Sequence, residues 1–393
     1  MGLTRRDFLR LSGLAGLTAL AGGHIDLEQA FAQDQLKPAL SDPYSEYVNL
    51  FGDIHCHTNL SDGDESPDFG LRYARDTSRL DFCCITDHAE IITDDGLKAV
   101  PYYQSLPGKY DEPGKFCVLY GFEWTGYRYG NAHRCVYTLD NTIPILPSNR
   151  PDWYTPEGLW KGLAGYDCIA VPHVVMKEQT ANWWENSNPQ MEPIVEFYSK
   201  WGSSLCPNEL RPLTNGNPDC SVFNAFAAGK KYGLICNTDT HFTRPGSNLQ
   251  EIRPQALIYP QPGLTGIWAK SHTREAIFDA LKNRRCYGMT GTPVNIQYTV
   301  NNAMMGSEIK SSTPPRIAYR ASSAFNIARV TVFKISNRVV ENVNMILPDG
   351  QKIEGTFIDD KFTTDSGYFL RLDLANDDNA VTSPVWVTRG TPD

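Results

Sequence analysis

Short apolar segments of strand length recur along the chain between residues 47 and 242, and each is bounded by charged or turn-forming residues. These segments do not alternate between apolar and polar positions, a pattern that is typical of strands buried on both faces. Segments of helical composition lie between them, for example at 66–79 and 221–231. We therefore predict strands at the following positions: 47–54, 80–86, 116–120, 135–139, 168–171, 194–198 and 232–237.

The alternation of strands and helices predicts a parallel sheet, and about seven strands in a ring predict an α/β barrel. Residues 272–285 form a predicted final amphipathic helix, with Ile277 and Leu281 among the apolar residues on one side. We expect the barrel unit to cover residues 47–291.

The pattern changes after about residue 292. From there on, apolar and polar positions alternate in short runs that Asn, Asp, Gly and Ser separate, which is typical of antiparallel strands. These runs lie at 295–300, 328–333, 368–374 and 385–388. We therefore predict a small, sandwich-like antiparallel β domain over residues 292–393.

The N-terminal segment has the three ordered regions of an export signal. Arg5 and Arg6 form a twin-arginine pair, the apolar run 11–21 is too short to span a bilayer comfortably, and Ala30 and Ala32 suit a signal peptidase. We predict a twin-arginine signal peptide over residues 1–32, export by the twin-arginine machinery to the periplasm or the medium, and no stable membrane anchor. The alternative is an amphipathic N-terminal helix with a chance arginine pair.

Composition bears on two questions, whether the protein binds nucleic acid and whether its cysteines form disulfides. The formal net charge of -9 provides no broad basic surface, so we expect no binding to nucleic acid. Ten cysteines in an exported protein would ordinarily suggest disulfides, but most of them lie in apolar stretches where free cysteine packs as a small hydrophobe. We predict free, buried thiols, Cys135 among them, with Cys206 and Cys220 as the one loop pair that could oxidise.

Six of the histidines fall at or just after the ends of the predicted strands. His55 and His57 are two residues apart on a strand, so their side chains point the same way and can hold one cation together. Asp239 and His241 repeat this spacing after another apolar run. One such pair is weak evidence for a metal site, but two pairs that end two buried strands are much stronger.

Further candidate ligands follow other predicted strands, namely Asp62, His88, Glu123, His133, His173 and Glu196. The strand ends of a parallel barrel converge on one face, so these residues would meet in a single pocket. The alternative for a single histidine after a strand is a hydrogen-bonded core or loop residue. A carboxylate in an apolar run, such as Glu123, is costly unless it is paired or ligated, which favours a functional role.

Mixed imidazole and carboxylate ligands suit zinc, manganese or iron(II) and argue against calcium, which prefers oxygen ligands. A tetrahedral zinc ion takes about four ligands, so the number of candidates implies two to three divalent transition-metal ions. Such a cluster would share a bridging carboxylate and a bridging water that becomes a hydroxide nucleophile near neutral pH.

The candidate ligands lie in motifs that follow one another in this order: His55-Cys56-His57-Thr58, Ser61-Asp62-Gly63, Ile85-Thr86-Asp87-His88, Gly121-Phe122-Glu123, Pro172-His173 and Thr238-Asp239-Thr240-His241. This order resembles the motifs of the PHP (polymerase and histidinol phosphatase) superfamily over about residues 47–300. Three further stretches are similar to its exported branch, whose relatives include carbaryl-hydrolase-like enzymes. They are Phe51-Gly52-Asp53-Ile54-His55, Glu123-Trp124-Thr125 and Ser383-Pro384-Val385-Trp386-Val387.

The resemblance implies a distorted (β/α)7 TIM-like barrel with a trinuclear metal site. One ion would take His55, His57, Glu123 and Asp239, a second would share Glu123 and take His133 and His173, and the third would take Asp62, His88 and His241. Glu196 has no assured place in the family pattern, and we expect it to orient a ligand or hold a water.

The resemblance also implies hydrolysis of a small-molecule phosphomonoester or phosphodiester, with Glu123, Asp239, His241 and Arg244 as the catalytic residues. Two alternatives stay open. The same site could hydrolyse a carboxyl ester, a carbamate or an amide, because an activated water can also attack an acyl carbon. It could instead bind metal without turnover and only stabilise the fold.

Substrate contacts would come from residues beside the ligand motifs. Arg134, Lys177 and Arg244 are candidates for contacts with substrate oxygens, although each could equally be a solvated surface charge. Trp183 and Trp184 would either line the pocket or pack in the core.

Overall fold

The structure of the chain is a computed structural model that describes residues 42–94, 96–126, 133–177, 183–252 and 257–391. The predicted signal peptide, residues 1–32, lies outside the described residues. Within the described ranges, no helix combines the length and the apolar character that a membrane span requires.

The described part of the chain is rich in strands and has few helices. The strands before residue 292 are β1 Val48–Asp53, β2 Phe82–Cys83, β3 Cys117–Val118, β4 Tyr120–Trp124, β5 His133–Thr138, β6 Cys168–His173, β7 Ile194–Ser199, β8 Gly202–Ser203, β9 Gly233–Cys236, β10 Gly263–Ala269 and β11 Cys286–Thr290. The α-helices are α1 Pro67–Arg72, α2 Ala89–Ile92, α3 Val100–Tyr110, α4 Pro156–Leu163, α5 Val222–Ala227 and α6 Arg274–Lys282. Each predicted strand before residue 242 coincides with an observed one.

The predicted final amphipathic helix is confirmed as α6. Thr273 caps its N-terminus by accepting a hydrogen bond from the backbone N–H of Ala276. Ile277, Phe278 and Leu281 are buried, so the apolar stripe faces the protein interior as the sequence pattern indicates.

The remaining strands form the C-terminal part of the molecule. They are β12 Val294–Val300, β13 Ala303–Met304, β14 Glu308–Ser311, β15 Arg316–Ser336, β16 Val339–Ile346, β17 Gly350–Ile358, β18 Ser366–Leu374, β19 Asn379–Thr382 and β20 Val385–Arg389. Most of their pairings are antiparallel, as predicted, with β14 and β20 as a parallel pair. The long strand β15 pairs with β12, β16, β17 and β18.

The largest sheet contains strands from both sides of the domain boundary that we predicted near residue 292. Its strand order is β13-β12-β15-β18-β19-β11-β10-β1-β2-β3, so β11 and β19 pair directly. Two smaller sheets, β4-β5-β6 and β8-β7-β9, complete the described strands. The boundary near residue 292 stays a prediction.

The described strands do not show the expected (β/α)7 barrel, because their pairing leaves the sheet open. Such a barrel needs parallel neighbours joined by helical crossovers. Here β5 is antiparallel to both β4 and β6, and β10 is antiparallel to both β1 and β11. Parallel pairing is confined to a few places before residue 292, namely β1 with β2, β2 with β3, and β7 with β9. The mixed α/β class is confirmed.

The cysteines are free thiols, as predicted, and most of them are buried. The loop pair that could have oxidised is not bonded. Cys206 Sγ lies 3.1 Å from a carboxylate oxygen of Glu209, and Cys220 is buried.

Candidate metal centre

The two His-x-His-type motifs lie side by side beyond the ends of β1 and β9. Asp239 donates its backbone N–H to the carbonyl of His55 at 3.0 Å, and His57 donates its N–H to the carbonyl of Thr240 at 3.0 Å. A parallel bridge joins Cys56 to Thr240 between these contacts. The imidazoles of the first motif and the carboxylate of the second therefore share one pocket wall.

Two backbone turns beside this wall adopt the left-handed region. Asp239 has a φ of 53°, which an aspartate tolerates better than most residues. Val174, directly after His173, has a φ of 44°, and a β-branched residue is strained there by about 1–3 kcal/mol. Both turns redirect the chain at a residue that carries a candidate ligand.

The carboxylate of Glu123 lies at the centre of the cluster, and its two oxygens face different groups. Oε1 lies 2.7 Å from His133 Nδ1 and 3.2 Å from His173 Nε2. Oε2 lies 3.1 Å from His57 Nε2 and 3.4 Å from His55 Nε2. A carboxylate with this surrounding can bridge two metal ions.

The group around Glu123 Oε2, which contains His55 and His57, gains a fourth donor from Asp239. Its Oδ1 lies 3.2 Å from His57 Nε2 and 3.4 Å from His55 Nε2. Metal–ligand bonds of about 2.0–2.2 Å at tetrahedral angles place neighbouring donors about 3.3–3.6 Å apart. The donors of His55, His57 and Asp239 are therefore spaced as the ligands of one ion would be, and Glu123 Oε2 lies at similar distances from both imidazoles.

A third group gathers at the solvent side of the cluster around Asp62. Its carboxylate lies 3.3 Å from His241 Nε2, 3.6 Å from His57 Nδ1 and 3.7 Å from His88 Nε2. The loop folds back because Gly63 donates its N–H to the carbonyl of Thr58 at 2.9 Å. A Cβ at position 63 would lie 2.5 Å from the backbone of His57, so only glycine fits.

All of the predicted metal ligands thus lie in one cluster, although they come from residues 55 to 241. Three overlapping sets of donors could each hold an ion: His55, Glu123, Cys135 and His173; His57, Asp62, His88 and His241; and His55, His57 and Asp239. The role of these residues as ligands stays a prediction.

Several buried donor and acceptor atoms in the cluster have no well-oriented hydrogen-bond partner. Within the described chain these atoms include Nε2 of His57, Oε1 of Glu123 and both ring nitrogens of His173. A buried polar atom without a partner costs about 1–3 kcal/mol. Metal ions would satisfy these lone pairs, so the residues present fit the metals that their motifs imply.

The electrostatics of the cluster favour ionised carboxylates. Burial alone raises the pKa of Glu123, but imidazoles such as those of His88 and His173 outweigh it and hold the pKa well below its ordinary value. The pKa of Asp239 is lowered by the same balance. Burial lowers the pKa of His57, yet the close carboxylates of Asp239 and Glu123 raise it to about 10. The carboxylates are therefore ionised beside imidazoles that take up protons, and divalent cations would replace those protons on binding.

Hydrogen bonds outside the cluster fix the orientation of three ligands. Glu196 lies within the buried strand β7 and accepts from His55 Nδ1 at 3.1 Å, which leaves Nε2 of that imidazole facing the cluster. His88 Nδ1 lies 2.7 Å from the hydroxyl of Thr125. His241 Nδ1 lies 3.1 Å from the backbone carbonyl of Asp239. Glu196 thus holds the imidazole of one candidate ligand in place, and its role toward a metal stays a prediction.

Three buried carboxylates that support the ligand loops were missed at the level of sequence. Asp53 accepts from the backbone and hydroxyl of Thr238 at 3.1 and 2.5 Å. Asp87 accepts from the backbone and hydroxyl of Thr58, both at 2.6 Å. Glu251 accepts from the N–H of His241 at 3.1 Å and from Lys200 Nζ at 3.2 Å. The first two precede a ligand histidine by two residues and by one, a signal that could have found them.

Arg134 does not face the cluster, so its predicted contact with substrate oxygens is wrong. Its side chain is fully buried, and Nε donates to Oε1 of Glu192 at 2.7 Å. The guanidinium lies between the rings of Trp124 and Trp160, at 5.8 and 5.4 Å from their centroids. The reason is strand geometry, because Arg134 alternates with His133 along β5 and points to the opposite face.

Lys177 and Arg244, the other two residues predicted to contact the substrate, lie at the rim of the pocket, by which we mean its solvent side near His241. Lys177 Nζ is 4.9 Å from the ring centroid of Trp201, whose indole packs edge-on against His241 and donates to the carbonyl of Asp239. Arg244 donates to the carbonyl of Phe242 at 2.7 Å. Their roles toward substrate stay predictions.

Trp183 and Trp184 pack in the core and do not line the pocket. Both are about 95% buried, at 3% and 5% relative exposure, and they belong to a hydrophobic cluster that includes Val195 and Phe226. The indole of Trp183 donates to the carbonyl of Cys220 at 2.9 Å, so its polar atom is satisfied inside the core.

The chain is similar to proteins without an assigned activity. The model of a family described as a protein of unknown function, DUF3604, matches residues 101–198 and 237–325. An uncharacterised protein of Chlamydia pneumoniae is 23% identical over 365 residues, and one of Chlamydia muridarum is 24% identical over 366. Both matches cover 86% of this chain and 57% of the relative, so the chain spans little more than half the length of these curated relatives.

One solved structure is also similar to this chain. It is a two-domain protein of Bacteroides vulgatus that contains a predicted PHP-like metal-dependent phosphoesterase. The similarity has a TM-score of 0.46 at 13% sequence identity, and it covers 88% of this chain and 96% of that one.

Proposed function

We propose that this protein is a metal-dependent hydrolase of the PHP type that cleaves phosphoesters of small molecules with two to three divalent transition-metal ions. The observation that carries the proposal is the position of Glu123, whose two carboxylate oxygens face two separate groups of histidines at 2.7–3.4 Å. A carboxylate placed in this way can bridge two metal ions, the arrangement that a multinuclear hydrolytic site uses. A single structural zinc ion would need only about four protein ligands and would have no open coordination position.

Divalent cations in this pocket would act as Lewis acids and lower the pKa of water to about 7. The chain's own residues provide the framework for that chemistry. Glu123 and Asp239 supply negative charge between the imidazoles, and Glu196 fixes the donor atom that His55 presents. His241 stands at the solvent side beside Asp62, where a substrate enters.

The phosphoryl oxygens of a substrate would meet a cation at the same side of the pocket. Lys177 is the strongest candidate because it lies over Trp201, and that indole packs against His241. Arg244, three residues after His241, is the second candidate. Both side chains are flexible enough to turn toward an anion.

We further propose that the protein is exported by the twin-arginine route after residues 1–32 direct it to the export machinery. Such export moves folded proteins, so the metal site would be filled before the protein reaches the periplasm.

The test combines metal analysis with a substrate panel. Purified protein, reconstituted with zinc or manganese, should contain about two to three equivalents of metal and hydrolyse a chromogenic phosphomonoester or phosphodiester. A strong chelator should abolish the activity. His57→Ala should lose metal and at least about 100-fold in turnover, the scale on which single catalytic groups act.

His272→Gln is the matched control, because His272 lies outside the donor sets and its ring Nε2 lies 2.7 Å from the backbone carbonyl of Asp81. It should retain metal and activity. Fewer than about one equivalent of metal after reconstitution would contradict the proposal of a multinuclear site. Full metal content with no hydrolysis of any substrate would instead support a binding module.

A second candidate function is hydrolysis of a carboxyl ester or carbamate, as in carbaryl-hydrolase-like enzymes. It is favoured by the burial of Arg134 against Glu192, which removes one cation from the set that would bind a phosphate. The aromatic ring of Trp201 at the rim would suit a neutral substrate. Aryl acetates and aryl carbamates in the same panel separate the two, since a preference for them over both phosphoesters would reverse our assignment.

A further inference from the structure

Cys135 lies on the same face of its sheet as the central carboxylate. In the antiparallel pairing of β4 with β5, Cys135 is directly opposite Glu123. Directly opposed residues of antiparallel strands extend their side chains to the same side. The same alternation along β5 places His133 and Cys135 on the pocket side and Arg134 on the other.

The thiol is close enough to take part in the site. Donor atoms of His55, Glu123, Cys135 and His173 all lie within 4.8 Å of one another. Cys135 is 1% exposed, so its sulfur lies in the floor of the pocket, away from solvent.

A second observation points to a ligand at this position. Both ring nitrogens of His173 and Oε1 of Glu123 are buried without a well-oriented hydrogen-bond partner in the described chain. The exposed fractions of these residues are 2% and 1%. A buried imidazole and a buried carboxylate with atoms left without partners, beside a thiol, offer the three kinds of donor that bind zinc in proteins.

We propose that Cys135 supplies a thiolate ligand to the ion that Glu123 and His173 hold, an inference that rests on the proposed function. Binding replaces the S–H proton by a metal–sulfur bond, and the proton passes to solvent. The site then differs in chemistry from the other two donor sets, which contain only imidazoles and carboxylates.

The thiolate also determines which metal this position prefers. A sulfur ligand favours zinc over manganese, which prefers carboxylate, carbonyl and water ligands. With zinc and manganese supplied together, the innermost ion should be zinc. The outer group around Asp62 lacks a thiol and can hold either metal.

X-ray absorption at the zinc edge of the zinc-loaded protein tests this assignment directly. The spectrum should contain a sulfur shell at about 2.3 Å, with less than one sulfur per zinc on average, beside the nitrogen and oxygen shell at about 2.0–2.2 Å. Cys135→Ala should remove the sulfur shell. The same substitution should also weaken binding of one zinc equivalent by at least about 10–100-fold. A loss of that size already follows when a residue that only hydrogen-bonds to a metal ligand is removed.

Cys168→Ala is the matched control, because Cys168 begins β6 in the same sheet and lies in none of the donor sets. Its spectrum should keep the sulfur shell. A shell that persists in Cys135→Ala, or a zinc-loaded wild-type protein with no sulfur shell, would overturn the ligand assignment and leave the proposed hydrolase intact. A wild-type protein that binds no metal would overturn both.

The wild-type spectrum decides the question even if Cys135→Ala fails to fold. Cobalt-loaded wild-type protein offers an independent readout, since a cobalt–thiolate bond adds charge-transfer absorption in the near ultraviolet that nitrogen and oxygen ligands lack. Cys135→Ser, which replaces sulfur by oxygen at nearly the same volume, should lose that absorption and keep bound cobalt. Absorption that survives in Cys135→Ser would refute the sulfur ligand.

Discussion

Glu196 accepts hydrogen bonds from two side chains, His55 Nδ1 at 3.1 Å and Asn237 Nδ2 at 2.7 Å. The first bond keeps the proton of the imidazole on Nδ1 and leaves Nε2 free to face Glu123 and Asp239. A carboxylate behind a ligand histidine also increases the basicity of that ligand. On the proposed function, Glu196 is therefore a positioning residue, which would act on the metals through His55.

Glu196→Gln should weaken metal binding by about 10–100-fold while the fold is kept. The amide preserves the volume and can still accept a hydrogen bond, but it removes the negative charge behind His55. Competition with a chromogenic zinc chelator measures the affinity. Glu341→Gln, on the exposed edge of β16, should bind zinc like the wild type. Equal affinities for the two variants would show that Glu196 has only a packing role.

At this scale the sequence predicted the ligands that follow a simple spacing rule. His55 and His57 are two apart in sequence, as are Asp239 and His241, and each pair lies just beyond the end of a strand. The same rule applies to His133 and Cys135, but a cysteine in an apolar run has a common alternative as a buried hydrophobe. The apolar residues around Cys135 favoured a buried thiol that packs as a hydrophobe. Only its position opposite Glu123 in the sheet shows which group the thiol faces.

Strand β5 separates two environments. Its pocket face carries His133 and Cys135, and its other face carries Arg134 in a fully buried contact with Glu192. Asn188 also donates its N–H to Glu192, at 2.8 Å. The ion pair is thus held in the core and anchors the strand whose opposite face supplies ligands.

Arg134→Met should destabilise the protein by about 3–5 kcal/mol, because it leaves the carboxylate of Glu192 buried without its cation. The double variant Arg134→Met, Glu192→Met should recover most of that loss, since a buried ion pair replaced by apolar side chains is often neutral. Chemical denaturation of the metal-free proteins measures both free energies of unfolding. A double variant as unstable as the single one would show that the arginine contributes through packing alone.

The loss in Arg134→Met should also depend on pH. Burial raises the pKa of Glu192 in the folded protein, although Arg134 opposes it, so removing the arginine removes the largest opposing contribution and increases the upward shift. An acid with a raised folded pKa is least costly below its unfolded value of about 4.3 and most costly above its folded one. The difference between Arg134→Met and wild type should therefore shrink as the pH falls toward about 4.5.

The existence of strands and helices could be predicted from the sequence, but their neighbours could not. Buried runs such as 47–54 and 232–237 gave no sign of which strand each would pair with, because strands buried on both faces suit parallel and antiparallel neighbours alike. The partner of β1 on one side is β10, which lies more than 200 residues further along the chain. A barrel inferred from strand count alone was therefore an extrapolation beyond the pattern.

On the scale of the whole molecule, the parts before and after residue 292 share a sheet and a core. Strands β11 and β19 pair antiparallel, with Gly288 opposite Val381. Arg211 Nη2 lies 3.2 Å from Asp378 Oδ1 across the same junction. The largest hydrophobic cluster contains residues from both parts, so their burial is a joint property. The strands after residue 292 consequently cover an edge of the sheet that the part before residue 292 would otherwise expose.

A chain that ends at Gly291 should fail to fold into a soluble, cooperative unit. Without β19, strand β11 becomes an exposed edge, and the buried side chains of Tyr287 and Met289 lose partners, which favours aggregation. Near-ultraviolet circular dichroism and zinc content of the shortened chain measure the loss, and supplying residues 292–393 as a separate chain should restore both signals. A shortened chain that unfolds cooperatively and binds as much zinc as the full one would establish residues 47–291 as an independent domain, with the C-terminal strands dispensable for the metal centre.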